Sequence, residues 1–248
     1  MNARSVIVTG ALSGIGRAAA VAFARNGDDV IVAGRRADAG ADLVTELRAL
    51  GARAEFVKTD VRFEGEVEAL VAAAMHRFGR VDVAVNAAGT EGVSVPVTDV
   101  TTTSYAEAFD TNVLGTLLSI KYEMRAMAAQ GGGSIVNISS TMGERGAPNS
   151  ALYVASKHAV EGLTKAAALD GAPAAVRVNA IAPGPVQTAM LDRLTGTPEN
   201  KAAYLRNVPL GRAGEPDEIA DAILFVSSER ASFITGQIIR VNGGKTAS

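Results

Sequence analysis

The chain has 248 residues, 48% of them hydrophobic, a formal charge of −2 and no cysteine. That length suits one large core, so a single domain over residues 1–248 is expected. The absence of cysteine excludes disulfides, thiolate catalysis and Cys-ligated metal. The interspersed charges form no basic stripe for nucleic acid or acidic lipid. His76 and His158 stand in no metal-ligand spacing, so no metal site is expected. Met1 runs almost directly into Ser5-Val-Ile-Val-Thr9, with no room for a secretory segment, and no apolar run approaches the ~18 residues of a membrane span. The expectation is a soluble cytoplasmic protein without nucleic-acid or membrane partners.

Short β-branched runs alternate with Ala-rich stretches of helical period. Strands are expected near Ser5 to Thr9, Asp29 to Ala33, Ala54 to Asp60, Val81 to Asn86, Gly133 to Ser139, Ala175 to Ile181 and Gln237 to Val241. Helices are expected near Gly14 to Asn26, Ala37 to Leu50, Glu64 to Phe78, Thr102 to Ala129, Ala151 to Leu169 and Pro216 to Ser228. Such alternation implies an α/β, three-layer, doubly wound fold with a seven-stranded parallel sheet. Gly184 to Gly214 breaks the pattern with three prolines and two short helix candidates, Thr188 to Leu194 and Glu199 to Arg206. An insertion of that length reads as a substrate cover.

After the first strand comes Thr9-Gly10-Ala11-Leu12-Ser13-Gly14-Ile15-Gly16. Glycines there allow a tight turn, close approach of a pyrophosphate and packing of the next helix, whose N-terminus faces the phosphates. No Lys-Ser or Lys-Thr follows the last glycine, so it is not a Walker loop. The second strand ends in Gly34-Arg35-Arg36, where a carboxylate would grip the ribose hydroxyls of NAD. A guanidinium pairs instead with a 2′-phosphate, which favours NADP over NAD.

Tyr153 and Lys157, four residues apart in one expected helix, share a face. A phenol with a pKa of about 10 must be brought down to roughly 7 to exchange protons near neutrality, and a neighbouring cation supplies part of that lowering. Proton transfer to a carbonyl oxygen or from an alcohol suits the pair.

With these parts the chain resembles the short-chain dehydrogenase/reductase family over essentially its full length. The resemblance rests on Thr9-Gly10-x-x-x-Gly14-x-Gly16, Asp60-Val61, Asn86-Ala87-Ala88-Gly89, Asn112, Ser140, Tyr153-x-x-x-Lys157, Pro183-Gly184-x-x-x-Thr188, Gly236-Gln237 and Val241-Asn-Gly-Gly244. Ala87 replaces a frequent second Asn, and Asn242 a frequent Asp. The likeness implies a Rossmann fold and a nicotinamide-dependent oxidoreductase acting on a ketone or secondary alcohol. In that setting Tyr153 is the general acid of reduction and the base of oxidation. Lys157 lowers its pKa and binds the nicotinamide ribose, Ser140 holds the substrate oxygen, and Asn112 holds a relay water. Leu12, Ser13 and Ile15 belong to the phosphate turn; Asp60 and Val61 meet the adenine; Asn86, Ala87 and Gly89 support the strand beneath; and Pro183, Gly184, Val186 and Thr188 wrap the nicotinamide.

Thr141, Met142, Pro148, Met190, Leu191, Leu194 and Tyr204 are candidates for a largely apolar pocket wall, which suits a neutral, mostly apolar small molecule. A 3-oxoacyl carrier-protein reductase is the alternative within the family, although Ala128-Ala-Gln130 and Pro173-Ala-Ala175 lack the basic residues that meet an acidic carrier. A non-catalytic nucleotide-binding sensor or scaffold is a third reading, disfavoured because Ser140, Tyr153 and Lys157 are all present. Tyr105, Phe109, Val113 and Leu117 form one stripe, and Ala155, Ala159, Gly162 and Ala166 another. Core packing explains one face of each helix, and the resemblance implies a homotetramer built through these helices and the last strand.

Overall fold

The computed structural model describes residues 3–247. Seven parallel strands form one sheet in the order β3-β2-β1-β4-β5-β6-β7. They are β1 (Ser5–Thr9), β2 (Asp29–Gly34), β3 (Ala54–Lys58), β4 (Val83–Asn86), β5 (Gly133–Ile138), β6 (Val176–Pro183) and β7 (Ile238–Val241). The inner strands are largely apolar and buried on both faces because helices cover both. In β1, Val6 and Val8 join a core with Val30, Val32 and Phe23, whereas Ile7 points the other way, to Ile31, Leu70 and Ile135.

The first layer contains α1 (Gly14–Arg25), α2 (Ala37–Ala49) and α9 (Pro216–Ser227); the second contains α3 (Glu64–Phe78), α5 (Gly115–Ala129) and α6 (Ala151–Gly171). Further out lie α4 (Thr102–Phe109), α7 (Ala189–Thr195) and α8 (Pro198–Leu205). Thr101 starts α4 through a reciprocal capping box with Ser104. Thr188 and Thr197 accept backbone N–H groups at the starts of α7 and α8.

The expected helical course from Thr102 to Ala129 is present, but it is not α-helical throughout. Asp110–Leu114 forms a π segment between α4 and α5. The two expected side-chain stripes also stay outside the core. Tyr105 and Leu117 are exposed, with the Tyr105 and Phe109 rings stacked at 4.3 Å. On α6 the buried face carries Ser156, Val160, Thr164 and Ala167 in place of the small-residue stripe. Strand ends move by a residue or two. Val81, expected in β4, lies before the strand, with its backbone N–H and carbonyl both bonded to the Gln130 side chain at 3.0 and 2.7 Å.

The winding reverses between β1 and β4. Ligand sites in open α/β sheets lie beyond the carboxyl ends of the strands at such a reversal. Among the described residues no helix is long and apolar enough to cross a membrane, and no group of three His, Cys, Asp or Glu could hold a metal ion.

Candidate active site

A cleft of about 640 Å³ opens over the carboxyl ends of the strands, from the β1 turn to α7 and α8. At its outer end Gly10 has φ +64°, and a Cβ there would lie 2.6 Å from the Ala88 backbone nitrogen. A Cβ on Gly16 would come within 2.4 Å of the Gly10 carbonyl oxygen. Neither position accepts a side chain without moving backbone. The α1 N-terminus that follows has Ser13 as an extended N-cap with no side-chain cap bond, and its first turn carries no acidic residue. The helix therefore presents backbone N–H groups and a partial positive charge to the cleft, a fit for pyrophosphate.

Arg35 and Arg36 are exposed at the end of β2 and border the same cleft. Asp60, at the next strand end, is held by Arg62: Arg62 Nε donates to Oδ1 at 3.0 Å and an NH2 nitrogen to Oδ2 at 2.6 Å. That pairing keeps the Asp60 carboxyl below its ordinary pKa. Val61 packs against Gly115, where a Cβ would lie 2.5 Å from a Val61 methyl. The glycine cradle, the uncapped helix N-terminus and the two arginines together fit a nicotinamide dinucleotide.

At the inner end, α6 and the end of β5 meet. Ser140 is the extended N-cap of a 3₁₀ turn, Thr141–Gly143, and its Oγ accepts the Met142 N–H at 3.2 Å. Tyr153, Lys157 and Ser140 all border the cleft. Lys157 is buried; its Nζ donates to the Ile138 carbonyl at 2.9 Å and lies 5.6 Å from the Tyr153 ring centroid.

The main influence of the surrounding protein on the Tyr153 phenol is desolvation rather than Lys157. Enclosure by protein pushes the phenol up to about 12, against a smaller lowering by a hydrogen bond with Ser140. The same burial pushes Lys157 down to about 8. Both shifts follow from desolvation disfavouring the charged form. Tyr153 is thus a protonated phenol at neutral pH, equipped to donate.

The cleft brings together every residue assigned to the site from the sequence except Asn86 and Asn112. The Asn86 amide turns away beneath the sheet, where its Nδ2 donates to Glu123 Oε2 and to Asn137 Oδ1, each at 3.0 Å. Asn112, in the π segment, clamps Thr90: Oδ1 accepts the Thr90 N–H and Nδ2 donates to the Thr90 carbonyl, both at 2.8 Å. Nδ2 also donates to Ser156 Oγ at 3.0 Å. Its side chain thus holds the loop after β4 against α6.

Six of the seven expected wall residues line the inner cleft; Pro148 does not, and Asn149 and Ser150 stand there instead. Sequence reasoning missed the loop Thr90 to Ser94 and Arg193. Arg193 on α7 reaches Glu91 through Nε and NH2, at 2.6 and 3.2 Å, and joins the α7 segment to that loop. Partners 102 residues apart leave no local signal. At the back of the segment, Lys245 lies 3.7 Å over the Tyr204 ring of α8.

The family model described as enoyl-(acyl carrier protein) reductase matches residues 10–246. The chain belongs to the short-chain dehydrogenase/reductase family. Members similar to it include the A-factor type gamma-butyrolactone 1′-reductase (1S-forming) of Streptomyces virginiae, 44% identical over 98% of this chain and 95% of the relative. A structure of an actinorhodin polyketide ketoreductase variant with NADPH superimposes with a TM-score of 0.94 at 35% identity, covering 99% of this chain and 98% of that one. A 7α-hydroxysteroid dehydrogenase with NADH and 7-oxo glycochenodeoxycholic acid gives 0.93 at 36%, covering 97% and 93%. This short-chain dehydrogenase/reductase is accordingly an oxidoreductase of alcohols and ketones, with a nicotinamide cofactor.

Proposed function

We propose that the protein is an NADP(H)-dependent reductase of mostly apolar ketones, reversible toward the secondary alcohols. The convergence of Ser140, Tyr153 and Lys157 on one cleft carries this reading. Arg35 and Arg36, at a strand end without a carboxylate, support NADP over NAD. Met142, Met190, Leu191 and Leu194 along the inner wall support an apolar substrate. Residues 184–214, containing α7 and α8, serve as the substrate cover of a single domain. The exposed stripes on α4, α5 and α6 leave surface for the homotetramer expected of the family.

Bound nicotinamide supplies or accepts the hydride. Ser140 Oγ donates to the substrate carbonyl oxygen and fixes its place. Tyr153 then delivers its hydroxyl proton to that oxygen as negative charge develops there. Lys157, where protonated, stabilises the phenolate left behind, and its bond to Ile138 sets the distance at which it does so. Asn112 acts by fixing the Thr90 loop beside Lys157. Wall residues exclude water from the reacting oxygen.

The test is turnover of a panel of cyclic and open-chain ketones, alcohols and 3-oxoacyl thioesters with NADPH and with NADH. Reduction of ketones with an NADPH preference is expected. Preference for carrier-linked thioesters would move the assignment to the acyl reductases, and cofactor binding without any turnover would indicate a sensor. Ion pairing of Arg193 with Glu91 partly neutralises the cation at the mouth, which weighs against an acidic carrier.

A further inference from the structure

The helix that carries Tyr153 and Lys157 carries a third polar residue at the same spacing, Glu161. Its carboxylate is almost fully buried, at 7% side-chain exposure. Oε1 accepts the Ser139 hydroxyl at 2.9 Å and an Arg240 NH1 hydrogen at 2.5 Å, and Oε2 accepts an Arg240 NH2 hydrogen at 3.1 Å. Arg240, on the edge strand β7, also pairs with Glu144 at 2.9 Å. Gly143 sits directly on the carboxylate: a Cβ there would lie 2.1 Å from Glu161 Oε1 and 2.7 Å from Ser139 Oγ.

The segment gripped in this way contains Ser140. Ser139 precedes it, while Gly143, whose N–H donates to the Ser140 carbonyl at 2.9 Å, and Glu144 follow it. We propose that Glu161 and Arg240 are positioning residues for Ser140, clamping the 139–144 turn from both sides so that its hydroxyl meets the substrate oxygen beside Tyr153. A guanidinium suits this task, since its planar fork makes two parallel bonds to Glu161 while also reaching Glu144, and an ammonium cannot reproduce the parallel pair. The proposal rests on the proposed reductase reading only for its kinetic consequence; the clamp itself is a structural claim.

The test therefore has two arms, using folded variants Glu161→Gln, Arg240→Ala and Arg240→Lys. In the first arm, native-state amide hydrogen exchange of residues 138–146 is expected to rise at least about tenfold in Arg240→Ala, with exchange around Gly10 to Gly16 unchanged. In the second, kcat for a ketone is expected to fall about 10- to 100-fold in Arg240→Ala and less in Glu161→Gln, which keeps an acceptor for Ser139. NADPH Kd stays within about twofold, and Arg240→Lys recovers part of the loss, because removing one partner of a buried pair leaves the other uncompensated. Unchanged exchange at 138–146 overturns the clamp, whether or not any ketone is reduced. Faster exchange with unchanged kcat, or equal losses in kcat and cofactor binding, overturns the positioning role. A wild-type protein that reduces no ketone overturns the functional reading separately, and the exchange arm still decides the clamp.

Discussion

Lys157 gives its hydrogen bond to the Ile138 carbonyl and stands 5.6 Å from the Tyr153 ring centroid, so it approaches the phenol as a nearby charge. Tyr153 is half-buried at the cleft, and in the proposed mechanism its hydroxyl is the proton source for reduction. Tyr153→Phe removes that proton and little else. Turnover is expected to fall by about 10² to 10⁴, the usual contribution of a general acid. NADPH affinity, measured by nicotinamide fluorescence, stays within about twofold. Retention of most activity would remove Tyr153 from this role.

The proposed preference for NADP rests on Arg35 and Arg36 at the end of β2. Charge-assisted hydrogen bonds of about 1.5–3 kcal/mol predict that Arg35→Ala weakens NADPH binding about 10- to 100-fold. NADH binding changes by less than about twofold. Titration of both dinucleotides against the same variant checks this, and small, equal effects would mean that Arg35 does not read the 2′-phosphate.

Glu91 and Arg193 tie the α7 segment to the loop after β4. Arg193 is well exposed and Glu91 is mostly covered, so the pair is worth about 1 kcal/mol or less to stability. Its kinetic effect is expected to be larger on substrate capture than on chemistry. Arg193→Ala should raise KM about three- to tenfold and change kcat less. Glu91→Ala should do the same, and the double variant should be no worse than either single one. Additive losses in a double-mutant cycle would dissociate the two residues.

A buried carboxyl sets a pH signature on stability. Glu123 lies beneath the sheet against Asn86, and burial pushes its pKa from 4.5 up to about 7. Between these values the folded state binds a proton that the unfolded state has released. The stabilisation is complete below pH 4.5 and is lost as pH rises to about 7. Glu123→Gln does not titrate, so its stability relative to the parent should rise by about 3 kcal/mol from pH 4.5 to 7.5. Urea unfolding at the two pH values measures it. A flat difference would show that Glu123 ionises normally in the fold.

Much of this architecture was legible from local pattern. Ser5 to Thr9 and Asp29 to Gly34 alternate with helices because β-branched runs buried on both faces leave a clear mark. The glycine turn, Arg35, Ser140, Tyr153 and Lys157 were identified from spacing and resemblance, and all border the cleft. What was hidden depends on distant partners. The Asn112 clamp on Thr90, the Arg193 bond to Glu91 and the convergence of Ser139 and Arg240 on Glu161 join residues from 22 to 102 positions apart. The desolvation that dominates the Tyr153 phenol likewise leaves no mark in the i+4 spacing, which shows only a neighbouring cation.

The π segment at Asp110–Leu114 amounts to one surplus residue stowed inside a helical rod. Deleting a single position there would restore an ordinary α-helical course, and at 3.6 residues per turn it would rotate the two halves by about 100° relative to each other. Asn112 could not then face Thr90 while α5 kept its seat under the sheet. Length is therefore as constrained as chemistry in this stretch, and a one-residue indel there should be less tolerated than many substitutions.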